Sequence, residues 1–230
     1  DVLRAIDSFV GHPRYILDFG TGSGGGLMSV SEKYKSSEVY GLDPSAEAVE
    51  NLRPKFDDRI QALDFSSPQL PPNYKGKFDL VLMVHVLEHV LEPLTILRVA
   101  KETLARNGLI YIEVPNIASK RWSGADIVHV AHPLAFTPTT LRKAAETAGL
   151  KVIKAFDGNV EQWPWACAIL AQNADANPNM PLIAEISAHE LEALYKLIKS
   201  KLSTPGLKVT KRDPRPFRGL LHRLFRRVYR

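Results

Sequence analysis

Short apolar runs alternate with stretches in which apolar residues recur every three to four positions, and this alternation carries through to residue 172. Apolar runs at 14–19, 38–42, 59–63, 78–84, 109–114, 151–156 and 165–170 predict seven strands. The run Phe-Asp-Leu-Val-Leu-Met-Val at 78–84 is continuous and bounded by polar residues, the signature of a strand covered on both faces. Between the runs, helical spacing predicts a helix over 24–35 and another from the cap Ser45 to about Arg53, with Pro54 as its stop. A third runs over 93–106 and ends at Asn107-Gly108. A fourth opens at Thr137-Pro138 and ends at Gly149, while 66–76 is rich in turn formers. Strand and helix in alternation predict an α/β class: a doubly wound, mostly parallel sheet with helices on both faces. Sites in such sheets lie at the carboxyl ends of the strands.

After residue 172 the pattern changes. A polar, proline- and asparagine-bearing stretch at 173–181 reads as a linker, followed by a helix over 182–202 and a basic tail. The division is therefore a domain over 1–172 and a helical appendage over 173–230. Hydrophobic residues at 45% and charged residues at 24% fit a soluble globular chain. No apolar run reaches the roughly 18 residues of a membrane span, and no leader pattern opens the sequence. The chain begins at Asp1, which leaves a preceding segment open. The single cysteine, Cys167, lies in an apolar run, so a core position in a reducing, cytoplasmic setting is expected.

The net charge of +5 is an average of two unlike parts. Residues 200–230 hold ten Lys/Arg against one Asp, and the rest holds 20 Lys/Arg against 24 Asp/Glu. The core is thus slightly acidic, and the overall basicity gives no reason to expect nucleic acid as a partner. In the tail, Phe217, Leu220, Leu221, Leu224, Phe225 and Val228 fall on one helical stripe, with arginines on the other faces. Such a helix, within 213–230, docks on a membrane surface or an acidic protein partner, or packs its stripe on its own domain. The first alternative places the protein at the inner face of the membrane.

The sharpest chemical signal follows the first strand: Asp18-Phe19-Gly20-Thr21-Gly22-Ser23-Gly24-Gly25-Gly26. Glycines permit a tight turn and close approach of the backbone to a ligand, and the helix behind them offers free N–H groups. Gly20, Gly22 and Gly25 also satisfy G-x-G-x-x-G, and Asp43 stands 18 residues further on, where a ribose-binding acid belongs in an NAD-dependent dehydrogenase. Asp18 separates the two readings. A carboxylate repels a pyrophosphate and attracts a ligand that carries an ammonium and a sulfonium.

Taken in order, ILDFGTGSGG at 16–25, VYGLDPS at 39–45, FDLVLMVHVLEHVLEP at 78–93, NGLIYIEVPN at 107–116 and HPLAFTPTTLRKAAETAGLKV at 132–152 resemble the class I S-adenosylmethionine-dependent methyltransferases. The resemblance is to the ubiquinone-type and sugar-modifying subgroup. It implies a seven-stranded sheet whose last hairpin is reversed, with S-adenosylmethionine as cofactor and S-adenosylhomocysteine as product. It also implies that Gly20, Thr21, Gly22 and Gly24 line the methionine moiety, with Asp18 near its amino group. Asp43 would take the ribose hydroxyls, Pro44 would border the adenosine, and Asp64 and Phe65 would meet the adenine.

Methyl transfer needs an aligned nucleophile and, for a hydroxyl, a proton acceptor; histidine suits that task. His85 and His89 follow the strand at 78–84, and an i, i+4 spacing on a helical turn puts both on one face. His85 is read as lining the cofactor pocket and His89 as the base. H-x-x-x-H also evokes a metal pair, but Glu88 is expected on a different face, so no metal is expected. The irregular segment 116–136 is read as the acceptor cover, with Asn116, Trp122, His129 and His132 as substrate contacts. Trp163 and Trp165 are read as packing near the last hairpin. The acceptor expected is a small molecule, sugar-containing or lipid-linked. A non-catalytic module that keeps the cofactor is the remaining alternative.

Overall fold

The computed structural model describes residues 3, 6–119, 132–156, 166–173 and 196. Strands β1 (Tyr15–Phe19), β2 (Glu38–Asp43), β3 (Ile60–Ala62), β4 (Phe78–Val84), β5 (Leu104–Pro115), β6 (Leu150–Phe156) and β7 (Ala166–Asn173) form one sheet in the order 3-2-1-4-5-7-6. Strands β1 to β5 run parallel, and β7 enters antiparallel between β5 and β6. The expected seven strands and reversed hairpin are therefore present. Helices α1 (Gly25–Lys33), α2 (Ala46–Phe56), α3 (Pro93–Thr103) and α4 (Pro138–Thr147) supply the crossovers.

The two-residue period of each strand divides the core between the sheet's two faces. Leu17, Val81, Met83, Ile110 and Ile112 bury one face against Ile96, Leu97 and Ala100 of α3 and Leu141 and Ala145 of α4. Ile16, Leu80, Leu82 and Tyr111 bury the other against Leu27 and Val30 of α1 and Val49 and Leu52 of α2. Because both faces are covered, the central strands can be apolar throughout, as β4 is.

Three boundaries differ from the periodic reading. Helix α2 continues through Pro54 to Phe56. The proline falls in the last turn, where it forfeits one bond to Glu50, and the buried ring of Phe56 holds the turn closed. Helix α3 stops at Thr103, three residues short, because Leu104 is already buried opposite Phe78 in β5. The Asn107-Gly108 turn signal is real, but it marks an irregularity inside β5. Pairing jumps there from Phe78↔Leu104 to Leu80↔Leu109, and a Cβ on Gly108 would lie 2.4 Å from the carbonyl oxygen of Phe78. The other helix starts hold as expected. The Ser45 side chain accepts from the N–H of Ala48, and Thr137 forms a reciprocal capping box with Thr140.

Strand β7 extends to Asn173, so the proposed break after residue 172 falls at its last residue. Cys167 takes its expected place in a strand, paired opposite Val114. The linker, the helix over 182–202 and the basic tail lie outside the described residues, as do Trp122, His129, Trp163 and Trp165.

Candidate functional site

Parallel strands end together, and the carboxyl edge of β1, β2 and β4 carries the chemistry. Asp18 is next to last in β1, and Asp43 ends β2; both side chains are buried. Between them the chain turns through Gly20 at φ +91°, which leaves no room for a side chain because a Cβ would meet Val86 at 2.4 Å. Gly22, at φ +49°, faces open space. The loop hangs on Asp43: Gly22 N–H donates to Oδ2 at 2.7 Å, the Thr21 hydroxyl at 3.4 Å, and Ser45 N–H to Oδ1 at 2.8 Å. Each oxygen keeps acceptor capacity beyond these bonds.

Two adjoining cavities meet at this loop. The first, about 520 Å³, is lined by Asp18, Gly20, Thr21, Gly22, Ser23, Gly25, Gly26 and His85, among others. No lysine or arginine is among its described lining residues. The second, about 710 Å³, is lined by Asp43, Pro44, Phe65, Ser66, His85 and the segment His89–Glu92, again with Gly20 and Gly22. Their volumes suit a ligand of cofactor size. Burial, with the charge of Asp43 adding to it, pushes the Asp18 carboxyl up from 3.8 to about 7, against a lowering bond from the backbone of Leu27. Helix α1 can come that close only because of Gly26, where a Cβ would lie 2.9 Å from Asp18 Oδ2. The sequence reading missed Gly26, although the run of three glycines was its signal.

Two expected cofactor contacts are corrected. Gly24 is buried against Leu52 and lines neither cavity; in left-handed conformation it caps α1. Asp64 is exposed and folds onto Ser66, accepting from its N–H at 2.8 Å and its hydroxyl at 2.7 Å, which lowers its pKa. It lines neither cavity, while Phe65 beside it lines the second and stacks on Phe19 at 5.2 Å.

After β4 the chain does not run straight into an α-helix. His85 adopts φ +56°, rare for a residue with a side chain, and a single 3-10 turn follows at Leu87–His89. The result places Glu88 between the histidines, contrary to the expectation that it faces elsewhere. His85 Nδ1 lies 3.1 Å from Glu88 Oε1, and His89 Nε2 lies 3.9 Å from the same oxygen. On its other side, His85 Nε2 is 3.6 Å from Glu113 Oε1, and the Tyr111 hydroxyl donates to Glu113 Oε2 at 2.5 Å. The bond to Glu88 raises the imidazole of His85 above its usual range, opposed by partial burial and aided by Glu113. Glu88 and Glu113 were both missed. A lone glutamate inside the apolar run of β5 was the available signal for Glu113.

His132 comes to the same place from the far side of the sheet edge, its ring against that of His89 at 4.6 Å and 75°. The ligating atoms of Glu88, His89 and His132 lie within 4.8 Å of one another. Asn116 is buried at the end of β5. Its side-chain oxygen accepts from Ala118 N–H at 3.0 Å, and its backbone bridges to Phe136. It shapes the turn and is not among the residues lining either cavity.

Comparison with known proteins bears on this arrangement. A family profile described as a methyltransferase domain matches residues 2–155. The chain is 29% identical over 104 residues to an (S)-coclaurine N-methyltransferase of Thalictrum flavum subsp. glaucum, covering 43% of this chain and 28% of that one. It is 26% identical over 115 residues to a ubiquinone biosynthesis O-methyltransferase of Histophilus somni, covering 47% and 48%. The chain thus spans less than half the length of these curated relatives. In fold it is similar to a Burkholderia thailandensis 1,6-didemethyltoxoflavin-N1-methyltransferase solved with 1,6-didemethyltoxoflavin and S-adenosylhomocysteine. That match has a TM-score of 0.58 and 18% identity, covering 76% of this chain and 77% of that one.

Proposed function

This chain belongs to the class I S-adenosylmethionine-dependent methyltransferase family, and from that premise we propose that it moves a methyl group from S-adenosylmethionine to a small-molecule acceptor. Membership removes the dehydrogenase reading, as does the antiparallel β7 set between β5 and β6, which the dinucleotide-binding strand order lacks. One observation carries the proposal. Asp18 is a buried carboxylate with no cation among its described cavity neighbours, raised to about 7 by burial and Asp43. Such a group favours a ligand that brings its own positive charge.

The residues present fit the cofactor. Asp18 would meet the amino group, Gly20, Thr21 and Gly22 the methionine chain, Asp43 the ribose hydroxyls, and Pro44 and Phe65 the adenosine. Bound there, S-adenosylmethionine supplies a methyl carbon made electrophilic by its sulfonium. His85 stands where the two cavities meet, held by Glu88 and Glu113, and keeps that junction polar. His89 and His132 face the acceptor side, with His89 as the residue through which the acceptor is activated. Trp122, His129 and Asn116 belong to the segment proposed to cover the acceptor.

The relatives are named for N- and O-methyl transfer, and the structural neighbour holds a small heteroaromatic acceptor, which supports the small-molecule class. A sugar-containing or lipid-linked acceptor is our finer reading, drawn from the subgroup resemblance and the basic tail.

Calorimetry with S-adenosylhomocysteine tests the cofactor site. Wild-type protein should bind one equivalent. Asp43→Ala removes charge-assisted bonds worth about 1.5–3 kcal/mol each, so affinity should fall roughly tenfold or more. Unchanged affinity refutes the ribose role. Tight binding without methyl transfer across a broad acceptor panel would favour the non-catalytic module.

A further inference from the structure

We propose that Glu88, His89 and His132 form a binding site for one divalent first-row transition ion of the zinc type on the acceptor side of the cofactor pocket. The case begins with an unexplained group. Glu88 is 2% exposed, and its Oε2 is enclosed without a hydrogen-bond partner. A buried carboxylate oxygen left without a partner is costly, and such groups are normally paired or bound to a metal.

The neighbours of Glu88 are of the right kind. Two imidazoles and one carboxylate are a common ligand set for zinc sites that keep open positions, and nitrogen-rich sets select transition ions over magnesium and calcium. Glu88 Oε1 and His89 Nε2 are 3.9 Å apart, and the three ligating atoms lie within 4.8 Å of one another. Bonds of about 2.1 Å in a tetrahedron need ligand atoms about 3.4 Å apart, so the set closes on an ion by side-chain rotation alone. The ligands come from two separate segments, the 3-10 turn behind β4 and the residue before Pro133, which the 4.6 Å ring contact already brings together.

An outer layer is also in place. His85 donates to Glu88, and Glu113, itself held by Tyr111, faces the far nitrogen of His85. Outer partners of this kind orient the ligating groups and sharpen affinity. Three protein ligands leave open positions, and an acceptor oxygen is the donor they suit. In this part the inference rests on the proposed methyl transfer. Bound to the ion, a hydroxyl ionises more readily and its proton leaves to solvent. The oxygen lone pair then forms the O–CH3 bond while the S–CH3 pair returns to sulfur. His89 serves here as a ligand and not as a free base.

The test is titration of tag-free, chelator-treated full chain with Co2+, read by visible d–d absorption. One Co2+ per chain, displaced by Zn2+ and not by excess Mg2+, is expected. His132→Ala, which alters a partly exposed residue, and Glu88→Gln should each cost more than the roughly tenfold to hundredfold loss typical of an outer partner. His85→Ala should fall within that range. Absence of the absorption, or an unchanged titration in both His132→Ala and Glu88→Gln, overturns the site. S-adenosylhomocysteine binding on the same samples separates the two readings. If it persists without metal uptake, only the metal site fails; if metal is bound but the nucleoside is not, the cofactor reading fails and the site stands.

Discussion

At the scale of single residues, Asp18 governs how the pocket responds to pH. Its folded value of about 7 lies above the ordinary 3.8, so the native state holds this proton more tightly than the unfolded chain. That contribution to ligand-free stability is complete below 3.8 and is lost as pH rises to about 7. A ligand ammonium reverses the preference and favours the carboxylate, so binding below pH 7 must expel a proton. Affinity for S-adenosylhomocysteine should therefore climb by up to roughly tenfold per pH unit until about 7, then level off. Calorimetry in buffers of different ionisation enthalpy would count the proton. Asp18→Asn should bind weakly, lose the slope and melt higher than wild type at pH 8 when ligand-free. A slope that survives in Asp18→Asn would sink this account. Asp18 and Asp43 were legible in the sequence because a strand end fixes where a side chain emerges. Glu88 was not, because its meeting with both histidines depends on the left-handed turn at His85, and no residue pattern specifies that conformation.

At the scale of elements, the sequence conveyed type and order well and boundaries less well. Helix signals are local, whereas the boundary between α3 and β5 is set by tertiary contact. Leu104 is drawn into the sheet opposite Phe78, and the four residues behind it bulge outward before pairing resumes at Leu109. Gly108 is what lets this happen, since a methyl group there would strike backbone and not a yielding side chain. Gly108→Ala should thus cost ~1–3 kcal/mol through forced backbone shifts. For a chain of this length that is a fall in Tm of about 2–4 °C per kcal/mol. Gly11→Ala is the matched control, because nothing lies within 4 Å of a Cβ there. It should leave the melting temperature level or slightly raised. Equal melting of the two variants would show that the bulge tolerates a side chain.

At the scale of the whole molecule, the sheet and the tail divide the labour. The order 3-2-1-4-5-7-6 brings the ends of β1, β2 and β4 together and leaves the reversed hairpin on the far side of β5, so the site is built almost wholly from residues 18–92 and the turn at 132. None of this explains residues 200–230, whose ten basic groups against one acid face a body that is slightly acidic. A helix with one apolar stripe and arginines elsewhere gains from an anionic bilayer twice, through burial of the stripe and through the surface potential. If the acceptor is lipid-linked, the same contact would hold the enzyme where its substrate is. Among the described residues no helix is long and apolar enough to cross a membrane, so attachment of this kind would be peripheral. The full chain should co-sediment with liposomes containing phosphatidylglycerol, less so with neutral ones, and release should follow rising salt within the range where the Debye length shrinks from about 10 Å to about 3 Å. Deletion of residues 213–230 should abolish sedimentation and leave S-adenosylhomocysteine affinity intact, because no described residue of that pocket lies beyond position 92. Sedimentation unaffected by the deletion would instead assign the tail to the protein's own surface or to an acidic partner.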